Sequence, residues 1–444
     1  MIAALLLALA VQAQDTTRLT LQSVVDRALD THPAVAAAEA ARDRSTADLA
    51  DARSRLLPGL SFDGAVTRFQ LPMIVAPLHG LDLRSPPLFD RTPYQAGLSL
   101  NWTVLDFGRR SAQIRAQTAL RNAAGDAVTS TEQQLMTATV RAYLGVLDAR
   151  QLLAAQNRLL DALTAAAART RQLEGQGKAA RVDVLRLDAE VQRERADRIT
   201  AASQLDVAEH QLAQLADVSF DAVHGAALAP LALADTSALD DTTAAARADV
   251  VARAVRASSD VRALDQRSLA ARAGVAAARA TWFPTVQMQG AYVDRGRWAG
   301  NYSAEWQVGL AMSYPVYTGG SRASAVERAS ADQRAAQEQA RAARLTVEQQ
   351  VDQDLAAIRE AHARVGALAS AVAQAQEVER IERLALDVGT VVQTDYLDAE
   401  ARLYSARAGL IQARHAEIAA RVDLARTVGE LSRDWLARNV ESLP

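Results

Sequence analysis

Side chains able to do chemistry are sparse and scattered in this 444-residue chain. Asp106-Phe107-Gly108, within WTVLDFGRR (102–110), matches the metal-holding triplet of protein kinases. Kinase chemistry also needs a Gly-rich phosphate loop, a strand lysine and a catalytic loop with its own aspartate and asparagine. None accompanies the triplet, and a three-letter match in a long chain carries little weight. Six histidines (His32, His79, His210, His224, His362 and His415) form no H-x-x-x-H pair and read as surface or packing residues. There is no cysteine, which excludes disulfides, thiolate metal sites, a cysteine nucleophile and a lipid-modified N-terminal cysteine. No catalytic residue, cofactor or metal site is expected, and the chain does not read as an enzyme.

Composition narrows the classes further. Basic residues number 49 and acidic ones 52, a net charge of −3 with no basic footprint for nucleic acid. Half the residues are hydrophobic but only 4% are aromatic, and alanine and leucine dominate. That favours long helices over a large aromatic core. The N-terminal MIAALLLALAVQAQ carries an apolar run from Ile2 to Val11 and a Val11-Gln12-Ala13 cleavage pattern. Residues 1–13 therefore read as a signal peptide, without the usual positive n-region. The alternative is a buried or anchoring helix. Nowhere else does an apolar run approach the ~20 residues of a membrane-spanning helix.

The elements that position these residues are repeated. WTVLDFGRR matches YPVYTGGSR (314–322), pairing Gly108 with Gly320 at an offset of 212. The same offset carries Gly177 to Gly389 and Asp183-Val184-Leu185 to Asp395-Tyr396-Leu397. Upstream, Pro58 pairs with Pro284 at an offset of 226, so the first copy holds 14 extra residues, in the proline-rich loop 70–93. Internal repetition governs the fold. The expected units are 14–216 (helix, β-hairpin 58–105, long helix pair 108–216) and 249–432 (helix, hairpin 284–317, helix pair 320–432). A linker, 217–248, joins them, and 433–444 is a tail.

Each unit opens with a helical stretch, as over Leu19 to Leu57, then changes period. Ala96, Leu98, Leu100, Trp102 and Val104 alternate with Gln95, Gly97, Ser99, Asn101 and Thr103. Trp306, Val308, Leu310, Met312 and Tyr314 alternate in the same way with polar or small residues. Period 2 over about ten residues signals a strand. Partner strands fall near 60–69 and 285–293. After the glycines, Val351, Ile358, Val365 and Val372 recur every seven residues, with Leu355 and Ala369 between them. One helix from Gly108 to Gln172 would be on the order of 100 Å long. Gly108, Gly319 and Gly320 mark the strand-to-helix junctions, where glycine allows the change of direction. Asp106 or Thr318 is placed to cap the helix that follows.

Four amphipathic strands in a secreted chain suit a soluble sandwich or an outer-membrane barrel with apolar side chains toward lipid. In lipid, open edges are not tolerated, so copies must close the barrel. Three chains give twelve strands, enough for a water-filled lumen. The charged outer faces of the long helices keep them out of the membrane.

The two repeats, their V-x-D-F-G-R-R and Y-P-V-Y-T-G-G-S-R junctions, and the stretches LTLQSVVDRALDTHPAVAAAEAA (19–41) and DVGTVVQTDYLDAEARLYSARAGL (387–410) resemble the TolC-like outer-membrane efflux proteins. The resemblance implies a mainly α fold with a small β part. It implies a homotrimeric channel-tunnel with a 12-stranded barrel in the outer membrane above a periplasmic α-barrel. It implies a passive export conduit, with a periplasmic adaptor, an inner-membrane pump and outer-membrane lipid as partners. A type I protein-secretion outlet remains an alternative, as does a non-channel periplasmic coiled-coil scaffold.

By that resemblance Asp395 and Asp398 form an acidic ring at the periplasmic mouth. Spaced i and i+3, they share a helix face, and three chains would gather six carboxylates that favour cations. The plain alternative is two carboxylates complementing the dipole of a helix start. In the first unit the equivalents are Asp183 and Arg186, and the charge of Arg186 is expected to be locally paired. In the family's best-known member a tyrosine and an arginine near this turn help hold the mouth shut. Here those positions are Leu386 and Val391, so closure would be held differently. Gly177 and Gly389 mark the helix-hairpin turns. Trp102, Trp306 and Tyr314 read as lipid-facing aromatics of an interfacial belt, or as large residues on a lipid-facing or core strand.

Overall fold

The computed structural model describes residues 19–75, 88–234, 244–297, 300–388 and 390–442. The signal-peptide reading and Gly389 lie outside the described residues. The chain opens with α1 (Leu21–Thr31) and α2 (Pro33–Ser54). The single opening helix expected from the sequence thus breaks at His32, whose ψ of 129° is extended. A residue before proline clashes with the proline ring in the helical conformation, and Pro33 starts the next helix instead. Thr20 caps α1 by accepting the Ser23 N–H.

Strands β1 (Gly59–Val66), β2 (Met73–Val75), β3 (Leu88–Asp90) and β4 (Pro93–Leu105) follow. The proline-rich loop is therefore partly structured, since β2 and β3 pair antiparallel. Next come α3 (Arg109–Gly175), α4 (Arg181–Leu215), α5 (Phe220–His224), β5 (Leu231–Leu233), α6 (Ala244–Ala257) and α7 (Ser259–Ala280). The chain ends with β6 (Thr285–Arg297), β7 (Gly300–Ser313), α8 (Ser321–Asp387), α9 (Gln393–Thr427), α10 (Arg433–Asn439) and β8 (Val440–Ser442). Helices α3 and α8 each have 67 residues, and α4 and α9 each have 35. No described helix is long and apolar enough to cross a membrane.

The fold divides into two compact units. One holds Glu39–Ala127 and Asp260–Ala343 and contains the four-stranded sheet, ordered β1-β4-β6-β7 and antiparallel throughout. The hairpin of each repeat supplies two strands, and β4 joins β6 with Leu98 opposite Tyr292. Strands β1 and β7 are the edges. Every residue of β1 is exposed, and so are Trp306, Val308, Leu310 and Met312 of β7. The apolar face read from the alternation is real and uncovered within the chain.

The other unit holds the described residues of Met1–Ala38, Val128–Ser259 and Arg344–Pro444. Its core joins Val24 and Val25 of α1, Val140 and Tyr143 of α3, Leu212 of α4, Ile418 and Val422 of α9, and Leu436 of α10. The Tyr143 hydroxyl donates toward the carbonyls of Leu19 and Ala229, 2.8 and 2.9 Å away, and burial pushes its pKa up to about 12. The segment 217–248 and the tail are tied together, because β5 pairs with β8. Two strands of three residues persist only through such pairing, which composition does not reveal. Along α8, Val351 and Ile358 are buried, with Ala254 and Val428 packed beside Val351; Val365 and Val372 are half-buried, and Ala369 is exposed.

Each strand gives way to a helix through two successive left-handed residues. After β4 these are Phe107 (φ 51°) and Gly108 (φ 88°); after β7 they are Gly319 (φ 58°) and Gly320 (φ 84°). The buried Asp106 carboxylate accepts the N–H groups of Gly108 (3.2 Å) and Arg110 (3.0 Å) and Arg110 Nε (2.7 Å), while Arg110 Nη1 donates to the Arg55 carbonyl. Thr318 differs. Its hydroxyl accepts from Arg322 Nε at 3.3 Å, so a side chain rather than a backbone N–H is bound.

Two predictions come from the junction after β4 and from the turn after α9. Burial pushes the Asp106 carboxyl up, but the Arg110 bonds and charge and the Gly108 N–H outweigh it, and its pKa lies below the usual range. A depressed folded pKa stabilises above the unfolded value of about 3.9, and that stability is lost as pH falls through the folded pKa. Asp106→Ala should cost roughly 1–2 kcal/mol at pH 7, with the gap from wild type narrowing below about pH 4. Denaturant unfolding across pH checks this; an equal gap at pH 3 would refute the carboxylate as the source. Gly429, at φ 73°, approaches the Ala257 carbonyl oxygen so closely that an added Cβ would lie 2.7 Å from it. Gly429→Ala should destabilise by on the order of 2 kcal/mol or more, read as a lowered unfolding midpoint.

Candidate functional site

The two helix hairpins turn by one local device. At the end of α3, Lys178 N–H reaches the Leu173 carbonyl and Gly177 N–H the Glu174 carbonyl, both at 2.8 Å, with Gly177 at φ 71°. These paired bonds satisfy carbonyls a helix end otherwise leaves orphaned, and glycine takes the left-handed position without strain. At the end of α8, Thr390 N–H reaches the Ala385 carbonyl at 2.9 Å, and the Thr390 hydroxyl reaches it at 3.0 Å.

The acidic positions stand just beyond. Asp183 and Asp395 lie in the first turns of α4 and α9, and both are exposed. Asp398 is exposed on the same face as Asp395 and sits 2.7 Å from Arg402 Nη2, one turn further along α9. An exposed pair of this kind is worth a few tenths of a kcal/mol and leaves the carboxylate available to other cations. Asp183 and Arg186 are exposed, and the first hairpin carries an ion pair between Arg171 of α3 and Asp188 of α4.

Leu386 and Val391 are half-buried, while Val388 and Val392 are exposed at the turn. The contacts holding α9 here were not singled out by sequence. Arg383 of α8 pairs with Glu379 and lies over the Tyr396 ring, 5.9 Å from its centroid. Hydrogen bonding to Tyr396 and the charge of Glu379 raise the Arg383 pKa further. Arg158 of α3 lies over Tyr404 of α9 at 4.4 Å. Such cation–aromatic contacts join residues far apart in sequence, so no spacing rule finds them.

In the unit that holds the four-stranded sheet, the strand–helix junctions expose apolar or aromatic side chains. Leu56 and Leu57 precede β1; Phe107 follows β4; Trp282 and Phe283 precede β6; Tyr314, Val316 and Tyr317 follow β7. Phe107 stacks on Phe283 with centroids 5.1 Å apart, and Arg322 covers Trp282 at 4.7 Å and Tyr314 at 5.8 Å. Of the aromatics named from sequence, Trp306 (76% exposed) and Tyr314 stand open. Trp102 is half-buried, its indole N–H donating to the Leu56 carbonyl at 2.8 Å. Phe107, Trp282, Phe283 and Tyr317 were missed because they lie just outside the alternating strands.

Comparison with known proteins places this geometry. The profile described as outer membrane efflux protein matches residues 24–217 and 250–430, covering both repeats. Outer membrane protein TolC of Escherichia coli (strain K12) is 27% identical over 437 residues, which span 94% of this chain and 84% of that protein. Outer membrane efflux protein BepC of Brucella suis biovar 1 is 25% identical over 368 residues, 80% of this chain and 76% of that protein. Among solved structures, the outer-membrane channel OprN superposes with a TM-score of 0.74 at 21% identity, covering 93% of this chain and 90% of that one. The open-state MtrE outer membrane channel of Neisseria gonorrhoeae gives a TM-score of 0.72 at 20% identity, with the same coverage. With both repeats matched, the chain belongs to the outer membrane efflux protein family and is an outer-membrane channel for efflux.

Proposed function

We propose that three copies of this chain close their sheets into one twelve-stranded barrel, continued by their long helices as a periplasmic tunnel. The assembly is a passive conduit for small molecules, served by a periplasmic adaptor and an inner-membrane pump. Within each copy the two repeats, 14–216 and 249–432, contribute equivalent sixths of barrel and tunnel, after removal of residues 1–13 as a signal. The observation that carries this reading is the sheet itself. It has four strands, free edges at β1 and β7, and exposed Trp306, Val308, Leu310 and Met312. Lipid tolerates that apolar face but not those edges, so a closed ring of several copies is the stable arrangement. The exposed Tyr314 and Tyr317 suit the level of the lipid headgroups, where aromatic rings with a polar tip are favoured.

At the far end, Asp395 and Asp398 would meet their copies around the tunnel axis as six carboxylates. Such a ring lowers the energy of cations in the mouth and raises that of anions. The weak Asp398–Arg402 pair does not oppose this, because an exposed ion pair yields readily to a second cation. The first-unit turn, with Asp183 and Arg186, contributes little net charge to such a ring.

Single-channel conductance in planar bilayers tests the reading, with divalent or trivalent cations added on the helix side. The expected outcome is discrete, cation-selective openings that multivalent cations block. Asp395→Ala/Asp398→Ala should weaken that block by at least about tenfold. Unchanged block and selectivity in the double variant would keep the channel and reduce the pair to helix-start residues. No channel from folded, trimeric protein would overturn the conduit.

A further inference from the structure

A cleft of about 990 Å³ runs beside the stacked Phe107–Phe283 pair, between α3, α7 and α8. Its floor is small and apolar, with Ala119 and Ala273 buried. Three guanidinium groups line it, Arg115 from α3 and Arg272 and Arg279 from α7, and no carboxylate does. None of the three has a salt-bridge partner among the described residues, although acidic residues outnumber basic ones in the chain. Like charges around one cleft repel, and an anion placed among them removes that cost.

Two further observations separate this cleft from the general fold. Phe107 holds φ 51°, a left-handed conformation that strains a non-glycine residue. Its counterpart in the second repeat is Gly319, at φ 58°, where no ring is presented. The strained position therefore carries an aromatic only where the cleft lies. Arg115 likewise corresponds to Glu327 in the second repeat, so the backbone plan does not require the cation.

The groups are ordered along the helices. The two phenylalanines adjoin the ends of β4 and β6. Arg279, Arg115 and Arg272 follow at about one, two and three helical turns from them, a row on the order of 15 Å long. An apolar end beside a row of cations fits an amphiphile with an extended anionic head. Guanidinium forks match phosphate oxygens two at a time.

We propose that this cleft binds an amphiphilic oxyanion, with its apolar end on Phe107 and Phe283 and its phosphate oxygens on Arg279, Arg115 and Arg272. The cleft begins at the end of the sheet, so its source is the anionic phospholipid of the adjoining leaflet. That source rests on the sheet being membrane-inserted, as proposed above.

Native mass spectrometry of full-length protein in mild detergent tests this, with phosphatidylglycerol, phosphatidylcholine or dodecyl phosphate added back. Wild type should retain phosphatidylglycerol about tenfold better than phosphatidylcholine, and Arg115→Gln/Arg272→Gln/Arg279→Gln should abolish the preference. Phe107→Gly, which restores the second-repeat residue and relieves the backbone, should weaken both phospholipids while keeping the oligomer. Equal retention of the two phospholipids by wild type, with no binding of dodecyl phosphate, would overturn the proposal, whatever the triple variant does. Tight dodecyl phosphate binding without phospholipid preference would overturn the leaflet as source and leave a soluble amphiphile. Bilayer conductance on the same preparation keeps the two readings apart. Channels without oxyanion preference refute the cleft alone. Oxyanion preference in protein that forms no channel refutes the inserted sheet, and with it the leaflet source.

Discussion

An unpaired backbone N–H or C=O in hydrocarbon costs several kcal/mol, and a four-stranded sheet has two rows of them. Much else in this chain can be understood from that constraint. Alternation along β4 and β7 supplies a face that lipid accepts, but no alternation can satisfy β1 and β7 at their outer edges. In the proposed ring the remedy is another copy of the chain, with the β7 edge of one beside the β1 edge of the next. The constraint also explains why the sheet looks unfinished. Its apolar residues are uncovered because what covers them lies outside the chain, whereas the helical unit buries Tyr143, Leu212 and Ile418 within itself.

The junctions then carry a second burden. A strand that must stay in register with its neighbours hands over to a helix of 67 residues within two or three positions. Two left-handed residues make the turn, and a fixed anchor keeps the helix start from fraying. The two repeats solve this differently. The first uses a buried carboxylate with three donors and accepts strain at Phe107; the second uses two glycines and a hydroxyl that binds only an arginine side chain. The first junction thus ties backbone N–H groups at the helix start to an ionised carboxylate, a charge-assisted bond about twice as strong as a neutral one.

What the sequence made legible was what is local. Strand faces, junction glycines, the Gly177 turn and the offset of 212 all follow from residues within a few positions of one another, and helices α3 and α8 obey that offset at both ends. The break at His32-Pro33 was equally local and was overridden by the helical pattern on either side. The remaining gaps are non-local. The pairing of β5 with β8, the stacking of Arg158 on Tyr404 and the bond from Trp102 to the Leu56 carbonyl join segments dozens to hundreds of residues apart. Sequence placed Asp395 and Asp398 on one exposed face but did not single out Arg402, which pairs with Asp398, or Arg383, which lies over Tyr396, since arginine is frequent throughout α8 and α9.

Duplication offers a way to separate architecture from function in such a chain. Where the two repeats agree, as in helix lengths and turn geometry, the residue serves the backbone plan they share. Where they disagree at one structural position, the plan tolerates both choices and something else selects between them. Arg186 against Asp398 changes the charge at the turn, Arg115 against Glu327 changes it beside the sheet, and Phe107 against Gly319 adds strain for a ring. Glu194 against Ala406 is of the same kind: a carboxyl buried on α4, with one oxygen unpartnered and its pKa raised by that burial, stands where the second repeat has a methyl group. At Phe107 and Glu194 the departure costs the fold something that its counterpart shows to be avoidable. Broken symmetry of this sort is therefore a physical criterion for a working residue, and it needs only the one chain to apply.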